Sequence, residues 1–251
     1  RNAFGNYREL IDETTWNPSM GKFLSHFRNQ KASADGLRQP DENYAREVMQ
    51  LFSIGLIERN LDFTPILSGG LPIPTYDQNV VSNYAKVFTG FNYNNATTIT
   101  NGTNTYLRMT CIESAHDATA KVLVGGSPLP AGQTCPDDVA DGLDLLFAHP
   151  NIAPFISRQL IQRFTTSSPS PAYIQRVAQK FNNNGFGERG DLSAVIRQIL
   201  LDPDARNAPT ANSGKPREPL LKLPALWRAW GAHMPVADAY GNIAMGMTSP
   251  T

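Results

Sequence analysis

Two polar groups in this chain have the residue types and spacing that acid–base or metal chemistry requires. The first lies in the run from Gln39 to Gly55. Glu42 and Arg46 are four apart and stack on one side of a helix, and Asn43 and Glu47 repeat that spacing one step round. Glu42 and Glu47 with Arg46 between them make a carboxylate pair tuned by a cation, suited to proton transfer or to a hard metal. The same spacing also builds a solvated or interhelical ion-pair ladder, worth roughly a few tenths of a kcal/mol per pair. The second group is His116-Asp117, with Lys121 downstream. An adjacent His and Asp can serve as base and orienter, or can hold a single divalent metal between them. A turn is the commoner use of such a pair. For the two groups to act together, the segment carrying His116 must fold back onto the 39–56 helix.

The remaining polar residues point more strongly to structure. His149-Pro150-Asn151 suits a helix-start turn. Arg158 and Arg163 sit on the polar side of their helix, and Arg217-Glu218-Pro219 opens the last one. The two cysteines, Cys111 and Cys135, fall in one polar, Gly-rich stretch. They are either free thiols or a disulfide, and a staple on an irregular segment is the favoured reading. Closing a loop of that length stabilises by about 3 kcal/mol in the chain-entropy model and implies an oxidising compartment. Asn95-Ala96-Thr97 and Asn101-Gly102-Thr103 match the glycosylation sequon.

Helical periodicity dominates the elements that must position these residues. Phe4, Tyr7, Leu10 and Ile11 mark a first helix, and Met20, Phe23, Leu24 and Phe27 a second after Asn17-Pro18. In the 39–56 helix, Pro40 suits the first turn, Asp41 and Glu42 suit the dipole, and Gly55 suits the stop. Tyr44, Val48, Leu51 and Phe52 form its inward stripe. Residues 57–77 carry Pro and Gly and read as an irregular connection. Asp77 caps a helix with Val80, Val81, Tyr84, Val87 and Phe88. Residues 91–136 form a long loop insertion with short strands near 105–112 and 120–124, read together as a β-hairpin. Four helices follow. Their stripes are Val139, Leu143, Leu146 and Phe147; Ile152, Phe155, Ile156, Leu160 and Phe164 behind an Asn151 cap; Ile174, Val177, Ala178 and Phe181; and Leu192, Val195, Ile196, Ile199 and Leu200 behind an Asp191 cap. A last apolar helix runs from Pro216 towards Trp230, kinked at Pro224. The expectation is a mainly α, multi-helical globular bundle with long irregular loops. It forms a single helical domain over 1–231, followed by a frayed extension at 232–251.

Composition removes several functions. A chain of 251 residues with 41% apolar content can bury a real core, while 18% charged residues and zero net charge disfavour nucleic acid as a partner. No run of about 18 apolar residues occurs, so no transmembrane helix is expected. The chain opens at Arg1 without a Met or a signal peptide and reads as a fragment or a mature product. Nucleotide-binding glycine motifs, the nucleophile elbow, the zincin motif and the paired-cysteine and haem-attachment motifs are missing, so no haem, nucleotide or flavin is expected.

An ordered series of strings resembles one bacterial family, the domain of unknown function eighteen hundred. The series runs Asn17-Pro18-Ser19-Met20-Gly21, Pro40 to Glu47 into Leu51-Phe52-Ser53-Ile54-Gly55, then Val87-Phe88-Thr89-Gly90-Phe91. It continues with His116-Asp117 and Lys121 before Leu123-Val124-Gly125-Gly126, and His149 to Ile156 with Leu160 to Phe164. Ser168 to Tyr173, Gly190-Asp191-Leu192 and Arg217-Glu218-Pro219 complete it. The resemblance covers nearly the whole chain. It implies a mainly helical protein outside the cytoplasm, periplasmic, cell-surface or secreted. It also implies a large helical region ahead of this C-terminal part of the family domain, and a possible protein partner resembling the sulfatase and phosphatase superfamily. The family often has Gly where this chain has Thr119, which questions a turn needing positive φ there.

Two functions follow. One is a binding or assembly component of the bacterial envelope or of an extracellular complex, self-assembly included. The other is a secreted hydrolase of envelope or environmental polymers, with His116 as base or ligand, Asp117 as its orienter and Glu42 or Glu47 as the second acid. A carbohydrate-binding module is a weaker third, for want of assignable exposed aromatics.

Overall fold

The computed structural model describes residues 2–208 and 214–231. The expected extension at 232–251 lies outside them. Among the described residues the chain forms ten helices and three two-stranded ladders, a mainly α fold.

Local chemistry sets most helix boundaries. Asn6 caps α1 (Tyr7–Thr15), and Asn17 with Pro18 in the first turn opens α2 (Pro18–Phe23). Asp77 accepts from the Val80 N–H at the start of α4 (Gln78–Val87). Thr134 caps α5 (Cys135–Ala148), Ser170 caps α7 (Pro171–Asn182), and Asp191 caps α8 (Leu192–Leu201). Asp202 stops α8 and caps the one-turn α9 (Pro203–Arg206).

The 39–56 helix is shorter than its pattern. Only Asn43–Gln50 is helical (α3). Pro40 stays outside because Asn29 holds the chain just before the helix: its amide accepts the Asp41 N–H at 2.8 Å and donates to the Asp41 carbonyl. At the other end Ser53 Oγ donates to the Val48 carbonyl at 2.6 Å, and Gly55 takes a φ of 71° against the Phe155 ring. Tyr44 and Val48 are buried as expected, whereas Leu51 is 48% exposed.

The expected hairpin within 105–124 is also redrawn. The strands exist as β4 (Thr110–Cys111) and β5 (Lys121–Val122), but they do not pair with each other. β4 pairs with β3 (Phe91–Asn92), and β5 pairs with β6 (Pro128–Leu129). A separate β1–β2 turn (Leu67–Ser68 with Leu71–Pro72) closes the 57–77 connection.

α5 joins the two halves of the fold. It packs on α1 and α4 on one side and on α6 (Ile152–Phe164) on the other, where α6, α7 and α8 form a three-helix layer. One continuous core runs from Ile11 and Trp16 through Tyr44, Tyr84 and Phe91 to Tyr173, Phe181 and Ile199. Asn151 does not cap α6 with its side chain. Its amide crosses to the 54–59 segment instead, donating to the Ile54 and Ile57 carbonyls and accepting the Arg59 N–H. The last helix, α10 (Pro219–Ala229), contains Pro224 and buries none of its residues.

Candidate functional site

His116 follows a single 3-10 turn (Glu113–Ala115), which turns its ring into the protein. The ring is buried against the segment that leaves α4. Its Nδ1 lies 3.1 Å from both the carbonyl oxygen and Oγ1 of Thr89, and its Nε2 lies 2.9 Å from Asp138 Oδ2. The Thr89 hydroxyl donates to the Lys86 carbonyl at 2.6 Å and accepts the Asp117 N–H at 2.9 Å. Gly90 follows with a φ of 92°, and a Cβ there would meet the Ile112 carbonyl, Cys111 Sγ and the His116 Cβ within 3.3 Å. Glycine is therefore required by both conformation and space.

Lys121 completes the cluster. Its Nζ donates to Asp138 Oδ2 at 2.5 Å and to the Thr119 carbonyl at 2.9 Å. The side chains of His116, Lys121 and Asp138 are all 0% exposed. Asp138 Oδ1 is buried with no hydrogen-bond partner. The disulfide between Cys111 and Cys135, Cα–Cα 6.2 Å, ties β4 to the first turn of α5 that carries Asp138. Glu113 reinforces that turn by accepting the Cys135 N–H.

Asp117 faces away from this arrangement. Its carboxylate accepts the Thr119 N–H at 3.0 Å and the Thr119 hydroxyl at 2.5 Å. Burial pushes the carboxyl up, but the Thr119 bonds and the cations of Lys121 and Lys86 outweigh it and hold the group below the usual range. Thr119 forms this turn without positive φ, so no glycine is needed there. His116 and Asp117 thus share no ligand position. Among the described residues no group of three or more His, Cys, Asp or Glu could hold a metal ion.

The Glu42 group sits elsewhere. Glu42 accepts from Arg46 at 2.7 Å, from Gln78 and from Ser82. Burial raises its carboxyl, and the bonds from Ser82, Gln78 and Arg46 bring it below the ordinary value. Glu47 is half-buried, with Oε2 lacking a partner. Glu42 thus meets α4 at its start, while His116 meets the chain just past its end. Seven residues of mostly helical chain separate Ser82 from Thr89, about 10 Å of rise. The structure joins Glu42 to Arg46, and joins His116 to Lys121, but does not join the two groups.

Asp138 and Thr89 are the participants that motif reading missed. A signal for Asp138 was available: it is four residues before Gly142 and one before Val139, on the inward stripe of α5. No signal marked Thr89 beyond its place in a recurring string.

A separate apolar groove of about 210 Å³ is lined by Tyr7, Leu10, Ile11, Thr14, Met20, Tyr44 and Phe52. None of its walls belongs to the His116 cluster. No curated protein and no solved structure matches the chain. The model of one family, described as "Protein of unknown function (DUF1800)", matches residues 1–251, and the chain belongs to that family.

Proposed function

We propose that this chain is a binding and assembly component acting outside the cytoplasm, and that α10 is its docking element. The observation that carries the reading is the apolar face of α10. Leu220, Leu221 and Trp230 are more than half exposed, with Leu223, Leu226 and Trp227 close behind. Isolated apolar residues are ordinary on a surface, but a contiguous patch of this kind marks an interaction site.

The occupant we assign is a second copy of the chain, received in the groove of Tyr7, Leu10 and Met20. Apolar complementarity supports this pairing: the groove walls are mostly apolar side chains, and the large apolar side chains that α10 leaves exposed are leucine and tryptophan. Contact between the two patches gives a two-fold dimer where each α10 enters the other copy's groove, and a ring or a chain of copies where it runs head-to-tail. The disulfide fits an oxidising compartment, and no described helix is long and apolar enough to cross a membrane. A hydrolase reading has less to stand on, because both ring nitrogens of His116 are occupied and its side chain is closed to solvent.

Light scattering on the eluting protein tests this. The native chain should associate at concentrations of about 100 µM or below, and Leu223→Ser with Trp227→Ser should return it to a monomer. A native chain that remains monomeric at that concentration, or a double variant that associates unchanged, would refute the proposal.

A further inference from the structure

We infer that Lys121 and Asp138 are a site of covalent self-modification, an intramolecular isopeptide bond between the Lys121 amine and the Asp138 side-chain carboxyl. The observations are independent of the assembly reading. Nζ and Oδ2 stand 2.5 Å apart, with both side chains fully closed to solvent. With Nζ on a lone-pair direction of Oδ2, the carboxyl carbon is roughly 3.3 Å away, within near-attack distance, and a shift of Nζ out of the carboxyl plane aligns the attack. Water, which would otherwise hydrate the two charges and compete for the carbonyl, is excluded. Buried ion pairs gain little stability over neutral alternatives, so the pair has small thermodynamic reason to remain charged.

The surroundings divide the roles of the two carboxyl oxygens. Oδ2 lies against both neighbouring proton sources, Lys121 Nζ and His116 Nε2, and is the oxygen placed to be protonated and to depart. Oδ1 has no partner in the protein and stays behind as the amide carbonyl. His116 is anchored for this by Thr89 on its other ring nitrogen.

The step balances without a co-reactant. The Lys121 ammonium gives one proton to Asp138 Oδ2, the neutral Nζ forms the bond to Cγ, and a second proton passes from Nζ to Oδ2 as the Cγ–Oδ2 bond breaks. One amide N–H remains, and Oδ2 leaves as water. Proximity can supply an effective concentration of about 10⁵ M or more, which favours the amide over the separated groups. The crosslink would close residues 121–138, overlapping the loop already closed by Cys111 and Cys135. Both bonds converge on the first turn of α5.

Intact-mass measurement of the purified native chain decides the matter. The expected mass is about 18 Da, one water, below that of the disulfide-bonded sequence. Fragmentation should give a branched peptide joining Lys121 to Asp138. Lys121→Arg and Asp138→Ala should each restore the missing water, and His116→Gln should slow or reduce the crosslink while leaving both linked residues present. A native mass equal to the disulfide-bonded sequence overturns the inference, and so does a loss of water that fragmentation places elsewhere, such as a succinimide at Asp141-Gly142. Because the native chain alone gives the answer, a variant that fails to fold does not blunt the test. An uncrosslinked chain that still associates would overturn this inference and leave the assembly reading standing.

Discussion

Replacing Asn151 with alanine should be among the most damaging single changes that touch no apolar contact. The side chain is fully buried and makes three hydrogen bonds, at 2.8 Å to the Ile54 carbonyl, 2.7 Å to the Ile57 carbonyl and 2.8 Å from the Arg59 N–H. These bonds hold a segment almost a hundred residues earlier against the start of α6. A net contribution of about 1 kcal/mol per bond gives a loss near 3 kcal/mol, and unsatisfied carbonyls could raise it further. For a chain of this size that corresponds to a melting temperature lower by roughly 6–12 °C. Asn151→Asp should be worse than Asn151→Ala. It keeps the acceptor for Arg59 but presses a carboxylate against two carbonyl oxygens. Urea unfolding of the native chain and both variants measures this directly. If the alanine variant falls within about 0.5 kcal/mol of the native chain, or the aspartate variant is the milder, the bridging role assigned to Asn151 is wrong.

Two further outcomes follow from the same structure. Serine at both Cys111 and Cys135 should cost about 3.5 kcal/mol by the loop-entropy relation for a sequence separation of 24, and reductant should destabilise the native chain but not the double variant. His26 gives a pH signature. Burial holds its imidazole down at about 4 despite the opposing bond to the Thr15 carbonyl. The folded state therefore binds fewer protons than the unfolded one between pH 4 and 6.5. Its contribution is complete above the unfolded value and is lost as pH falls through that window, by up to about 1.4 kcal/mol per pH unit. Urea midpoints measured across the window should show this slope, His26→Gln should flatten it, and a ring resonance titrating near 6.5 in the folded protein would contradict it.

The helices were legible in the residues because capping and apolar spacing are local. Asp77 and Asp191 act as caps where expected, and the inward stripes of α5 to α8 are buried or partly buried except at Phe164 and Leu200, each about half exposed near the end of its helix. The 39–56 helix was overextended because its limits depend on Asn29 and Phe155, which no local pattern reveals. The strands at 110–111 and 121–122 were located, but their partners at 91–92 and 128–129 were not, since a two-residue ladder carries almost no periodicity. The disulfide pairing followed from there being only two cysteines. His116 and Lys121 stood out by type, yet the residue that joins them, Asp138, looked like an ordinary acid in the first turn of a helix. Its partners lie 17 and 22 positions earlier in the chain.

Thr89 ties two separate strings of this sequence into one contact. Its hydroxyl and carbonyl grip His116 and Asp117, and the glycine after it lets that segment approach β4. The Val87–Phe91 string and the His116-Asp117 string are therefore two faces of one contact. In related chains, a change at position 89 should be accompanied by a change at position 116, while each position alone should tolerate little.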